Sequence, residues 1–145
     1  MRTVNELYPI FLKVAQLEVL IVGGGKVALE KLTFLLKSSP NAKVHIVAPQ
    51  IKDDVITLVE KHQIKLINQN YSKEFLGDKH LVISATNDTK INKQVYRDCK
   101  ERNLLINVAD TPTLCDFYLG GIVTKGHVKI AISTNGKSPT MAKRL

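Results

Sequence analysis

The stretch from Leu17 to Ala28, LEVLIVGGGKVA, imposes the first constraint on the fold: a short apolar, β-branched run stops at three consecutive glycines and a different periodicity begins at once. A run of that length, rich in Val, Ile and Leu, reads as a buried parallel strand. From Lys26 to Lys37 the apolar residues Val27, Ala28, Leu32, Leu35 and Leu36 fall mainly at helical spacings, and SSPN ends the segment. The unit is strand, glycine turn, helix. A plain turn needs only one or two glycines. Gly23-x-Gly25-x-x-Ala28, with Gly24 between, instead fits the spacing that lets backbone approach a pyrophosphate, the third small residue being Ala.

The same alternation continues along the chain. KVHIVAP supplies a second strand, DDVITLVEKH a helix whose acidic start suits its positive N-terminal end, and IKLINQ a third strand. After a polar connection, HLVISAT, INKQVYRDCKER and LLINVAD read as strand, helix and strand. The pattern predicts an α/β fold, a Rossmann-like doubly wound parallel sheet with helices on both faces. Beyond Asp110, TPTLCDFYLGG is irregular, and GIVTKGHVKIAIS reads as an antiparallel hairpin with a tight turn at Lys125-Gly126, placed most simply on the edge of the parallel sheet. TNGKSPTMAKRL adds a turn and the first turn of a C-terminal helical region, with Ser138 at the N-cap and Pro139 at the first helical position. The expected division is a dinucleotide-binding domain over 1–112, followed by the hairpin and the start of a further region over 113–145.

Length and composition exclude several alternatives. A chain of 145 residues buries a core without disulfides or a structural metal. No apolar run approaches the ~20 residues of a membrane span, and the N-terminus lacks the apolar core and cleavage site of a signal peptide, so a cytoplasmic location with no membrane partner is expected. Cys99 and Cys115 lack ligand spacing and read as reduced thiols, with no metal site. The 21 basic against 13 acidic residues, a net charge of +8, favour polyanionic partners. They are scattered and accompany no nucleic-acid motif, which leaves a phosphorylated cofactor or a polycarboxylate.

Gly23 and Gly25 sit where a strand turns sharply, and the helix from Lys26 offers unpaired N–H groups to phosphates. The second half of a dinucleotide fingerprint, an acid at the second strand end, is not cleanly present: that strand ends IVAPQ, where Gln50 can bond a ribose hydroxyl and Asp53 or Asp54 follows slightly later. With neither Arg nor Lys at the strand end itself, the lean is to NAD over NADP.

Five segments, IVGGGKVALEKLTFLL, VHIVAP, VISATND, INVADTPTLCDFY and VKIAISTNGKSPTMAKRL, occur in an order and at spacings that resemble the precorrin-2 dehydrogenase family, which includes the N-terminal units of siroheme synthases. The resemblance covers almost the whole chain. It implies NAD-dependent oxidation of precorrin-2 to sirohydrochlorin, with insertion of Fe2+ by a sirohydrochlorin ferrochelatase activity in bifunctional members. It also implies cofactor contacts at Lys26, Val27, Pro49 and Gln50, an acid/base role for Asp110, and hydroxyl residues near the tetrapyrrole at Ser133 and Thr134, the latter a Thr where some members carry Ser. Thr86 and Asn87 end the fourth strand on the side where an α/β sheet binds its ligand, which makes them cofactor neighbours.

The residues support Asp110 independently. An Asp at the end of the fifth strand can accept a proton as hydride leaves a substrate, or deprotonate a pyrrole nitrogen before a metal enters. The alternative is an Asp that caps the turn before Thr111-Pro112. Asp116 is a second carboxylate of the same loop, with turn formation as strong a reading as catalysis. His127 reads as an exposed strand residue beside the hairpin turn, and His45, His62 and His80 lack ligand spacing.

Members of the family continue for several dozen residues past SPTMAKRL into a helical region that forms a homodimer and covers the substrate site, so the sequence reads as truncated or as a naturally short member. Two other classes compete: a non-catalytic dinucleotide-sensing Rossmann regulatory domain, and a tetrapyrrole carrier or chelatase without redox chemistry. A sensor has no need of Asp110 or of the segment from LCDFY to AIST. A carrier has no need of the intact glycine turn.

Overall fold

Five short, mostly apolar segments of the computed structural model, which describes residues 4–135, form parallel strands: β1 (Glu18–Val22), β2 (Lys43–Val47), β3 (Lys65–Ile67), β4 (Leu81–Ser84) and β5 (Leu105–Val108). Helices α1 (Lys26–Ser38), α2 (Asp53–His62) and α3 (Thr89–Glu101) connect them. The strand order β3-β2-β1-β4-β5 places the reversal of winding between β1 and β4. Alternate strand residues explain why the runs are apolar throughout: Val19, Ile21, Val44, Ile46, Leu81 and Ile83 pack with Ala28, Leu32 and Leu36 of α1 and with Val55 and Val59 of α2. Leu20, Val22, Val47, Val82, Ile106 and Val108 pack on the other face with Val95 and Cys99 of α3. Both faces are covered, as the alternation of elements predicts.

Local chemistry sets the helix ends. Asp88 caps α3, its carboxylate accepting the Lys90 and Ile91 N–H groups at 2.9 and 3.5 Å. Asp53 and Asp54 lie in the first turn of α2, and Lys61 and His62 in its last, complementing the helix dipole at both ends. The crossover from β3 to β4 carries a 3-10 turn, Lys73–Leu76, in place of a helix, and Leu76 buries itself on the α3 face. There the Tyr71 hydroxyl and the Gln94 amide donate to the buried Asp98 carboxylate, both at 2.8 Å. Burial, and then the bond to Asp98, hold the Tyr71 hydroxyl well above the ordinary phenol range.

The outer edge of β5 is closed by side chains instead of a sixth strand. Ile106 N–H donates to Asp116 Oδ2 at 3.0 Å while Asp116 N–H donates to Ile106 O at 2.7 Å. Val108 N–H donates to Cys115 Sγ at 3.2 Å, and Lys100 Nζ pairs with the Asp116 carboxylate. An edge satisfied in this way offers no ladder to a further strand. The hairpin differs from expectation: β6 (Gly121–Lys125) and β7 (Val128–Ile132) form a two-stranded sheet of their own, not an extension of the parallel one. Its turn is Gly126-His127, since Lys125 still pairs with Val128, and Gly126 takes φ +57°. His127 is thus an exposed turn residue and not a strand residue.

The chain clusters into two units, Lys13–Phe117 and the described parts of Met1–Leu12 and Tyr118–Leu145. Within the second, Asn5 Nδ2 donates to Ser133 O at 3.3 Å, an association of the N-terminal arm with the strand end of β7 across 128 residues. Ser138 and Pro139 lie outside the described residues. Among the described residues no helix is long and apolar enough to cross a membrane.

Candidate functional site

The register of the parallel sheet brings four strand ends into one row: Val22 pairs with Val47 on one side and Ser84 on the other, and Ser84 pairs with Val108. The segments that leave those ends therefore emerge side by side. Gly23, Gly24 and Gly25 with Lys26 and Val27 follow β1, Pro49 and Gln50 follow β2, Thr86 and Asn87 follow β4, and Asp110 follows β5. Asp110 stands two strand spacings from the glycine turn, about 10 Å along the edge.

The three glycines are required for different reasons. Gly23 has φ +130°, and a Cβ there would lie 2.4 Å from the carbonyl oxygen of Ala85. Gly24 has ordinary φ, but its Cβ would meet Gln50 O at 2.4 Å, and its own carbonyl accepts Lys52 N–H at 2.8 Å. The turn is thus packed between the ends of β4 and β2. Gly25 is constrained by neither: its φ of −101° is open to any residue, and a Cβ would meet nothing within 4 Å. It is the N-cap of α1, and no side chain caps that helix. The first-turn N–H groups have no side-chain cap and the space beside Gly25 is open, an arrangement a phosphate fits. Ala28, the third small residue, is buried against the sheet and supplies close helix packing.

Polar groups fix the neighbouring segments. Asn68 Nδ2 donates to Ala48 O and Pro49 O at 3.0 and 2.9 Å, which holds the end of β2 and leaves Gln50 exposed. At the end of β4, Asn92 Oδ1 accepts from the buried Ser84 hydroxyl at 2.8 Å and the Thr86 hydroxyl at 2.6 Å, while its Nδ2 donates to Thr86 O at 3.1 Å. Thr86 is therefore occupied internally, and the adjoining Asn87 is exposed.

Asp110 is exposed at φ +59°, and its carboxylate has no hydrogen-bond partner among the described residues. Thr111 N–H donates to Val108 O at 3.2 Å, so Asp110 occupies the third position of a four-residue turn, the place where a positive φ usually calls for Gly or Asn. Among the described residues the carboxylate caps nothing. Asp116 is the reverse case, its carboxylate being spent on Ile106 N–H and Lys100. Burial pushes the Cys99 thiol up to about 12 and raises that of Cys115 as well.

Ser133 and Thr134 follow β7 in the other unit. Ser133 Oγ accepts Asn135 N–H at 3.1 Å, and Thr134 is half-buried. No motif or spacing singles out Asn107, a polar residue inside an otherwise apolar strand. Its Nδ2 donates to Phe117 O at 2.9 Å, and its buried Oδ1 has no partner among the described residues. A lone polar residue in a buried strand was the available signal.

Sheet order, glycine turn and uncapped helix together define a Rossmann-like α/β protein of the dinucleotide-binding class. Residues 10–121 match the family model described as "Putative NAD(P)-binding", and 125–145 match the one described as "Sirohaem biosynthesis protein central". The chain is 42% identical over 136 residues to a siroheme synthase of Psychrobacter sp. (strain PRwf-1), covering 94% of this chain and 28% of that protein. A siroheme synthase of Nitrosococcus oceani is 36% identical over 94% of this chain and 29% of its own length. Among solved structures, "SirC, precorrin-2 dehydrogenase" aligns at a TM-score of 0.78 with 28% identity, over 95% of this chain and 67% of that one. A lactate dehydrogenase of Eimeria maxima, at 17% identity and a TM-score of 0.50, shares the fold over 72% of this chain and 39% of its own. The chain belongs to the precorrin-2 dehydrogenase family, which includes the N-terminal units of siroheme synthases. It spans little more than a quarter of the length of the curated relatives it matches.

Proposed function

We propose that this chain is the NAD-dependent unit that oxidises precorrin-2 to sirohydrochlorin in siroheme biosynthesis. The observation that carries the reading is a carboxylate, Asp110, that has no hydrogen-bond partner among the described residues and follows β5 at the same ends of the parallel strands as a helix N-terminus without a side-chain cap, where the space beside Gly25 is open. The nicotinamide cofactor, when bound, accepts the hydride that leaves the substrate. The first-turn N–H groups of α1, at Lys26 and Val27, hold its pyrophosphate. Gln50, beside Pro49, bonds an adenosine ribose hydroxyl, and the absence of Arg or Lys at Pro49-Gln50 favours NAD over NADP. Asn87, exposed beside the internally bonded Thr86, would contact the cofactor when it is bound. Asp110 takes the proton that the substrate loses along with the hydride and passes it to solvent.

Ser133 and Thr134 are assigned to substrate contact on the resemblance. The basic excess attracts the polycarboxylate substrate, which makes its affinity fall with added salt. For ferrous iron insertion into sirohydrochlorin we give the same carboxylate the role of base on a pyrrole N–H, the metal being substrate. The arm and hairpin unit leaves Val4, Tyr8, Phe11, Val123, Val128 and Ile130 more than half exposed, which supports a homodimer formed through it. Light scattering on the full-length protein tests that assignment, a monomer at micromolar concentration contradicting it.

An anaerobic incubation of the full-length protein with precorrin-2 and NAD+, with NADP+ in parallel, tests the reaction. Sirohydrochlorin absorbance that grows with NAD+ is the expected result. Tight NAD+ binding without turnover would replace the dehydrogenase by a dinucleotide sensor.

A further inference from the structure

We propose that Cys115 is a positioning residue whose thiol clasps the turn that presents Asp110. The inference rests on the reading of Asp110 as proton acceptor. The turn runs from Val108 to Thr111, closed by Thr111 N–H to Val108 O at 3.2 Å, and carries Asp110 at φ +59°. For a residue with a Cβ that conformation is disfavoured, so the surroundings must hold it. Cys115 Sγ lies across the turn. It accepts Val108 N–H at 3.2 Å, and its S–H is within reach of Val108 O at 3.2 Å and Thr111 O at 3.4 Å.

The thiol thus engages both ends of the turn, while among the described residues Asp110 itself makes no side-chain bond that could fix it. The flanking bonds leave Cys115 little freedom: Cys115 N–H donates to Pro112 O at 3.1 Å, and Asp116 next to it is tied to Ile106 and Lys100. Thr111 contributes one more bond, its hydroxyl to Ala109 O at 3.2 Å. A residue that both donates and accepts across a turn of this width has to be small. Ser satisfies the same groups at a shorter reach, and Ala satisfies neither.

The test compares Cys115→Ala and Cys115→Ser with the wild type in the full-length protein. Hydrogen exchange at the Val108 and Thr111 amides reads the clasp directly and does not depend on turnover. We expect both amides to exchange several-fold faster in Cys115→Ala and to remain protected in Cys115→Ser. With precorrin-2 and saturating NAD+, kcat falls on the order of tenfold in Cys115→Ala at an unchanged Kd for NAD+, and recovers in Cys115→Ser. Unchanged exchange at those amides in a folded Cys115→Ala protein overturns the clasp, as does a Kd for NAD+ that rises in step with the loss of kcat. A wild type that turns nothing over overturns the dehydrogenase reading instead, and exchange still decides the clasp.

Discussion

The turns that leave β1 and β5 lie on one edge of one sheet and both contain backbone that ordinary residues avoid, yet they are held by different means. At Gly23 the φ of +130° is enforced by packing, with the Ala85 carbonyl where a side chain would be. At Asp110 the φ of +59° belongs to a residue that has a side chain and exposes it, and hydrogen bonds from Cys115 and Thr111 maintain the turn. Packing fixes the first by exclusion, and it tolerates no substitution. The second is strained and displays a carboxylate with no hydrogen-bond partner among the described residues, which is the pattern the proposed role of Asp110 requires.

Substitutions sharpen the comparison. Gly23→Ala has the largest expected effect: the backbone clash and the positive φ together destabilise the Lys13–Phe117 unit by on the order of 3 kcal/mol or more. Urea denaturation followed by circular dichroism measures it, and a folded variant of near wild-type stability would show that the turn yields. Gly25→Ser separates the two kinds of glycine. Serine is a better helix N-cap than glycine, so stability rises by a few tenths of a kcal/mol, while its side chain enters the space assigned to the pyrophosphate and weakens NAD+ binding by about 1.4 kcal/mol, tenfold or more. Calorimetric titration beside a melting curve tests both signs at once.

Asp110→Gly probes the strained turn. Removing the Cβ relieves the left-handed conformation, for a gain of about 1 kcal/mol in stability, and abolishes turnover with it. Thermal melting would contradict the account if the variant were less stable than wild type. The smallest effect concerns His45, in the middle of β2 and in neither turn. Burial first, and then the nearby Lys79, lower its pKa in the folded chain. The unfolded chain then binds that proton more readily, so the contribution to stability is present above about 6.5 and is lost as pH falls through that value. His45→Gln flattens the slope of stability against pH between 7 and 5; an unaltered slope shows that another group carries it.

The sequence makes the first turn legible and the second only in part. A strand, three glycines and a helix produce two changes of periodicity within a dozen residues, and the boundaries of α2 fall where its acidic and basic ends predict. The carboxylate at the end of β5 is visible for the same reason, since strand ends follow from the apolar runs. What holds it is not. Cys115 and Asp116 reach back seven and ten residues to β5 through side-chain bonds to backbone, and such bonds leave no period. That β6 and β7 pair only with each other has no local signal either. The pairing of Asn5 with Ser133 is further still from any local signal. Asp110's left-handed φ likewise has no marker, Asp being permitted in most turn positions.

One measurement tests the central claim most directly: the rate of sirohydrochlorin formation by Asp110→Asn under anaerobic, NAD+-saturated conditions, with the NAD+ dissociation constant measured on the same preparation. Asparagine keeps the shape and tolerates the left-handed turn but cannot take up a proton. The account predicts an unchanged dissociation constant and a rate reduced on the order of a hundredfold or more. Turnover at the wild-type rate would contradict it, and would leave the carboxylate at the end of β5 without a part in the reaction.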